Sequence, residues 1–304
     1  MKLLLTGAEG QLGRALEHIL ETSFELKAVS RNECDLSDSA SLVRLLERTR
    51  PDLIVNAAAY TDVDGAEMDR AAAFAVNAAA PAILADWAAH SGCALIHYST
   101  EYVYSGTGDE PWREEDPEGP INVYGESKLA GDQAVLASGA AALVLRTSWL
   151  YGARGRDFVA AILRQSRESE ELRVVCDQMG APTPAALLAE ITGEILKRSR
   201  GDVAGLLRIH GGCVNATATG VTSRYGFAEA IVEEARALGC ALTVRRIMPV
   251  TSGEYPRKAK RPLNSRLSLA RLAAAFGIRP PDWRHSLRSS LKTRLCCLDE
   301  RLNN

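Results

Sequence analysis

The chain carries no surplus of either charge: among its 304 residues, 36 Lys and Arg stand against 38 Asp and Glu, a net −2. Its isoelectric point falls near 6.3. A nucleic-acid binder needs a basic footprint, so that class of partner is excluded. Long apolar runs are missing too, none approaching the ~18 residues of a membrane span. Met1-Lys-Leu-Leu-Leu-Thr-Gly7 enters a glycine loop at once, which predicts no signal peptide. Cysteines are few and scattered, seven in all, with no CxxC pair and no His/Cys ligand spacing. That excludes a disulfide framework and a metal centre and predicts reduced thiols in a cytoplasmic protein. Adjacent Cys296 and Cys297, near a polar C-terminus, are assigned no role.

What is present is a core and a pattern. At 46% hydrophobic, the chain has material for one large domain or two unequal ones. Residues 2–6 read as a short buried strand, followed by Gly7-x-x-Gly10-x-x-Gly13 and a helix over 11–22. A strand, a glycine loop and a helix in that order form a dinucleotide site. Gly7 suits the tight turn, Gly10 close approach of a pyrophosphate, and Gly13 close helix–strand packing. The helix N-terminus then holds the phosphate.

A second strand over 24–29 ends in Ser30-Arg31. A carboxylate there binds a free ribose 2′-hydroxyl, whereas an arginine accommodates a 2′-phosphate. With Arg31 and no acid at that end, NADPH is expected, with NADH possible. Asp35 and Leu36 lie where the chain passes the adenine, ahead of a helix over 39–49. The third strand and its exit, 51–59, end in small residues through Ala59, which let backbone touch a flat cofactor; Tyr60 and Thr61 continue that edge. The alanine-rich run 71–89 reads as well-packed helix. A strand over 94–98 delivers Ser99, Thr100 and Glu101, and an acidic Gly/Pro loop, 106–120, leads to a helix bearing Tyr124-Gly-Glu-Ser-Lys128.

Tyr124 and Lys128, four apart, share one helix face. The ammonium is expected to lower the phenol's pKa from about 10, so that it can protonate a carbonyl oxygen while a hydride reaches the carbon. A strand over 141–146 and Thr147-Ser-Trp-Leu-Tyr-Gly152 follow. Alternating strands and helices predict an α/β fold, a Rossmann-type doubly wound parallel sheet with a smaller C-terminal α/β region. Ligands bind outside the carboxyl ends of such strands. Residues 1–152, plus parts of the later chain, are assigned to the NADP(H)-binding domain and 153–304 mainly to substrate. In the latter, 158–166, 185–198, 225–238 and a final 270–276 read as helices and 172–176 as a strand. The stretch 201–220 reads as irregular. The basic cluster Arg257-Lys-Ala-Lys-Arg-Pro262 is either a solvated face or a segment that closes over an anionic substrate.

These motifs resemble the extended short-chain dehydrogenase/reductases. Val55-Asn-Ala-Ala-Ala-Tyr-Thr61, Ser99-Thr-Glu-Tyr-Val103, Asn122-Val-Tyr-Gly-Glu-Ser-Lys-Leu-Ala-Gly131, Arg146-Thr-Ser-Trp-Leu-Tyr151, Asp177-Gln-Met-Gly-Ala-Pro-Thr183, Arg261-Pro-Leu-Asn-Ser-Arg-Leu267 and Pro281-Asp-Trp283 look like the dTDP-4-dehydrorhamnose reductase family. The resemblance implies NADPH-dependent reduction of a dTDP-4-keto-6-deoxy sugar after a 3,5-epimerase, in rhamnose supply for lipopolysaccharide or cell-wall polysaccharide. Carried over by motif, Thr100, Tyr124 and Lys128 are catalytic; Thr100, Glu101, Val63 and Trp149 meet the sugar. Gly10, Gln11, Leu12, Ser30, Asp35, Leu36, Ala59, Tyr60 and Thr61 meet the cofactor, with Tyr124 and Lys128 at its nicotinamide end.

The chain departs from the family pattern at Glu101 (usually Asp), Arg224 (usually Trp) and Arg257 (commonly Thr), and Gly211 to Gly220 reads as a longer connection than usual. Ala15 and Ala186 stand where some members place interface glutamates for a metal, so no metal is expected, and the chain is a monomer or homodimer. Another 4-keto-6-deoxy sugar nucleotide is an alternative substrate. A non-catalytic NADP-binding regulatory subunit is a different class of reading, disfavoured by intact Thr100, Tyr124 and Lys128. A dehydratase is disfavoured by the single carboxylate, Glu101, in Thr100-Glu101-Tyr102.

Overall fold

The structure, a computed structural model, describes residues 1–302, with side chains through residue 295. Cys296 and Cys297 therefore lie outside the described side chains. Strands β1 (Lys2–Thr6), β2 (Glu25–Val29), β3 (Leu53–Asn56), β4 (Ala94–Thr100) and β5 (Ala141–Thr147) form one parallel sheet. A sixth strand, Gly212–Asn215, completes the order 212–215, β5, β4, β3, β1, β2. β3, β4 and β5 are buried along their whole length, as expected of strands covered by helices on both faces. Neighbours in sequence divide between the two faces. Leu3, Leu5, Val55 and Ile96 join one core with the helix Ala185–Arg198, while Leu4, Ile54 and Leu95 join the other with Leu42 and Leu84.

Local signals explain most boundaries. The Asp38 carboxylate accepts from the Ala40 and Ser41 N–H groups and starts α2 (Ser39–Thr49); Asn122 does the same through Gly125 N–H for the helix Val123–Ala137. α1 (Gln11–Leu20) ends two residues short of the expected 22. β4 runs two residues beyond the expected 98, because Ser99 and Thr100 pair with Arg146 and Thr147 of β5.

Three expectations are corrected. The stretch 201–220 is not irregular: Asp202 caps the helix Val203–His210, and Gly212–Asn215 is the sheet's outer strand. A four-residue strand with two glycines just before its core residues has no periodicity to read. The final helix is not Ala270–Phe276 but Trp283–Leu302, whose mixed polar and apolar order conceals its buried face. Last, the helical run Arg70–Ser91 is long and apolar enough for a membrane span, at 22 residues and mean hydropathy 1.3. Its Ala73, Ala80, Leu84 and Ala85 are buried in the fold, which marks it as a core element.

Candidate active site

The glycine loop shapes the first half of the site. Gly7 sits at φ +74°, and a Cβ there would lie 2.6 Å from Ala58 N, so the turn admits only glycine. A Cβ on Gly13 would fall 2.0 Å from Gly7 O, so α1 starts directly against the turn, while Gly10 closes it through its N–H to Gly7 O. No side chain caps α1 and its first turn holds no acid, which leaves its N–H groups for an anion. The residues therefore fit a dinucleotide diphosphate. Gln11 donates from Nε2 to Asp157, and Leu12 is buried in the core.

The end of β2 differs from expectation. An acid is present: the Glu33 carboxylate accepts from Ser30 N–H and from Lys27, and these bonds hold its pKa below the usual value. It is spent on the protein, and Arg31 stays exposed with a loose 3.4 Å contact to Asp35. Asp35 accepts from the Ser37 N–H and hydroxyl, while the Leu36 side chain is buried, so only its backbone faces a ligand. Ala59, Tyr60 and Thr61 form the loop after β3. Fully buried Asn77 anchors it, accepting from Tyr60 N–H and donating to Tyr60 O and to Ser127 Oγ. Asn77 lies in a widened helical turn, Ala75–Ala79, a form that often marks functional positions.

The second half joins the end of β4 to the helix Val123–Ala137. A Cβ on Gly125 would lie 2.3 Å from Tyr102 O, so that glycine lets the helix start against the chain leaving β4. Tyr124 is thereby placed beside Thr100, with Tyr102 edge-on at 5.4 Å between ring centroids. Thr100 Oγ1 also donates to the buried Glu101 carboxylate at 2.8 Å. Burial pushes Glu101 up to about 7, against the opposing Thr100 bond, and its other oxygen accepts no hydrogen bond among the described residues.

The expected tuning of Tyr124 by Lys128 is corrected. Burial, then the nearby Glu101, push the phenol well above its usual value. Lys128 Nζ instead donates to Tyr98 O at 2.7 Å and lies 3.3 Å from His97 Nε2, and burial brings it down to about 8. His97 is kept neutral by burial, then by Lys128, and continues through Asn56 to Thr6 across β4, β3 and β1.

On the remaining side, Val63 opens a short helix, Val63–Ala66. Burial opposes the charge of Asp64, but the Ala259 N–H and the Arg261 guanidinium hold its pKa below the usual value. This pair ties the basic segment to the loop after β3. Trp149 is buried at φ +46°, a strained conformation for a bulky residue, with Gly180 against its ring edge. Thr100, Glu101, Tyr124, Trp149 and Arg224 thus lie together, and Arg31 and Asp35 lie apart at the end of β2.

Comparison with known proteins decides the family. A family model described as RmlD substrate binding domain matches residues 1–296. The chain belongs to the RmlD substrate binding domain family. It is 44% identical over 290 residues to a dTDP-4-dehydrorhamnose reductase of Burkholderia thailandensis, covering 94% of this chain and 97% of that one. An Escherichia coli protein of the same name is 40% identical, with 96% and 97% covered. The crystal structure of the Bacillus anthracis dTDP-4-dehydrorhamnose reductase in complex with NADP superposes with TM-score 0.87 at 31% identity, covering 95% and 98%. A Thermus thermophilus UDP-glucose 4-epimerase shares the fold at 20% identity and TM-score 0.77, covering 97% and 99%.

Sequence reasoning missed several residues of this RmlD-family site. Asn77 was hidden in an alanine-rich run. His97 and Asn56 were read as parts of apolar strands, although a polar residue inside a buried strand is itself a signal. Arg294, on the unforeseen last helix, pairs with Asp157 and donates to Gly152 O, which braces the residue that holds Gln11.

Glu101 gives a pH prediction. Raised from 4.5 to about 7 by burial, it binds more protons folded than unfolded between those values. Stability therefore falls as pH rises through that window, and the cost is fully present above pH 7. Glu101→Gln is expected to be more stable than the parent at pH 8 by roughly 1–3 kcal/mol. The gain should fade as pH drops towards 4.5. Urea midpoints at both ends of the range check it.

Proposed function

We propose that this chain reduces the 4-keto group of dTDP-4-dehydro-6-deoxy-L-mannose with NADPH, forming dTDP-L-rhamnose. The observation that carries the reading is the meeting of the Thr100 hydroxyl with a Tyr124 phenol held protonated, on a sheet whose glycine loop presents an uncapped helix end. When bound, NADPH supplies a hydride to the C4 carbonyl carbon. Gly7, Gly10, Gln11 and Gly13 would cradle its diphosphate, Arg31 its 2′-phosphate, and Ala59, Tyr60 and Thr61 its inner face.

Tyr124 donates its hydroxyl proton to the oxygen at C4 as negative charge develops there. A phenol raised by burial is fully protonated at neutral pH, and the phenolate left behind recovers a proton from solvent. Thr100 positions the carbonyl oxygen by hydrogen bonding. Its one proton now goes to Glu101, so protonation of Glu101 would free it for the substrate. Lys128 would hold the nicotinamide ribose. Trp149 and Val63 bound the sugar, and residues 153–304, apart from the elements that cover the main sheet, form the substrate region. The substrate is the product of a 3,5-epimerase, so this reduction follows that step.

NADPH oxidation with dTDP-4-keto-6-deoxyglucose should depend on added 3,5-epimerase and yield dTDP-rhamnose. Absence of turnover, with NADPH binding intact, would reject this substrate, and other 4-keto-6-deoxy sugar nucleotides would then be compared. Arg31→Ala should weaken NADPH by about tenfold and leave NADH unchanged, since an exposed guanidinium contributes modestly to a phosphate contact. Equal effects on both cofactors would remove Arg31 from the 2′-phosphate.

A further inference from the structure

Arg224 lies beside Trp149 with its hydrogen-bonding capacity unspent among the described residues. Its guanidinium carbon lies 3.8 Å from the centre of the Trp149 ring and 5.1 Å from that of Phe158. Among the described residues it makes no side-chain hydrogen bond and no ion pair, and its guanidinium contacts are the two ring faces. The backbone beneath is firmly placed: Arg224 N–H donates to Gln178 O, and Ser223 caps the helix through Gly226 N–H.

The placement is electrostatically unfavourable. Arg224 opens the 14-residue helix Arg224–Ala237, where the helix dipole disfavours a cation. Arg261 adds like charge nearby, and Glu101, the carboxylate whose charge acts on Arg224, forms no ion pair with it. Burial foremost, with Arg261 adding to it, brings the guanidinium down to about 10. A half-buried cation without a counter-ion calls for an anionic ligand. The planar fork of arginine matches phosphate oxygens in pairs.

We infer that Arg224 binds the diphosphate of the sugar nucleotide, leaving the face of Trp149 when that anion enters. This deepens the reductase reading and rests on it: the diphosphate is the anionic part of the proposed substrate, and the move uncovers the indole face for the sugar. Binding of the charge and opening of the sugar subsite are then one event.

The test is calorimetric titration of the full chain and of Arg224→Gln and Arg224→Lys with dTDP, thymidine and NADPH. Arg224→Gln should weaken dTDP about 10- to 100-fold, with thymidine and NADPH unchanged. Arg224→Lys should recover only part, because an ammonium lacks the paired geometry. The salt dependence of dTDP binding should also become shallower in Arg224→Gln. Unchanged dTDP affinity would overturn the inference. A loss confined to NADPH would assign the guanidinium to the cofactor's diphosphate instead. Equal losses for dTDP and thymidine would show a merely structural role. Wild-type turnover is measured separately: if it fails while the Arg224 effect on dTDP stands, the reductase reading falls and the diphosphate contact remains.

Discussion

Tyr124→Phe is expected to lower turnover by about 10³-fold while NADPH affinity stays within a few-fold of the parent. The change removes one hydroxyl from a ring already supported edge-on by Tyr102, so the local packing survives. What is lost is the proton for the developing alkoxide. The Thr100 hydroxyl donates to Glu101, and Lys128 Nζ is turned to Tyr98 O and His97. Single-turnover NADPH oxidation separates chemistry from product release. Residual activity within tenfold of the parent would mean that the phenol is not the acid. Normal NADPH binding with no oxidation would also exclude a purely cofactor-binding subunit, which would be indifferent to this change.

The second large effect concerns stability. Arg146, fully buried on β5, donates to Asp132 Oδ2 at 3.0 Å, to the Tyr104 hydroxyl at 2.8 Å and to Glu118, and lies 5.1 Å from the centre of the Tyr104 ring. Arg146→Ala should cost about 3–5 kcal/mol in urea unfolding, because Asp132 is left buried without its partner. Burial already raises the Asp132 pKa, with Arg146 and then Lys128 opposing that rise. Arg146→Met combined with Asp132→Leu should be less damaging than Arg146→Ala, since removing both charges avoids an orphan. A double variant as unstable as the single one would show that the cost is packing alone. The network also matters to the site. Tyr104 stacks on Trp112, Trp112 pairs with Leu267, and Asp132 lies one turn from Lys128 on the same helix.

Much of this was legible in one dimension. The strand, glycine loop and helix at the start of the chain are contiguous, and each step has its own local cause, from the Gly7 turn to the buried leucines of β1. The Tyr124–Lys128 spacing needs only helical geometry. Five of the six strands of the main sheet were placed because apolar runs separated them from capped helices. The strand at 212–215 escaped because its identity comes from pairing with β5, not from its own four residues. The last helix escaped for a similar reason: its buried face is defined by what it covers.

The sequence by itself determined the fold class, the cofactor loop and which residue types stand ready for carbonyl reduction, because these rest on local propensity and fixed spacing. Only the tertiary structure decided how those groups behave. It set Lys128 on Tyr98 and His97, raised Tyr124 and Glu101 by burial, tied the Tyr60 loop to Asn77, and left Arg224 against Trp149 without an ion pair among the described residues. The reason is physical: a proton's affinity and a donor's partner depend on which atoms have displaced water around the group, and those atoms come from distant parts of the chain.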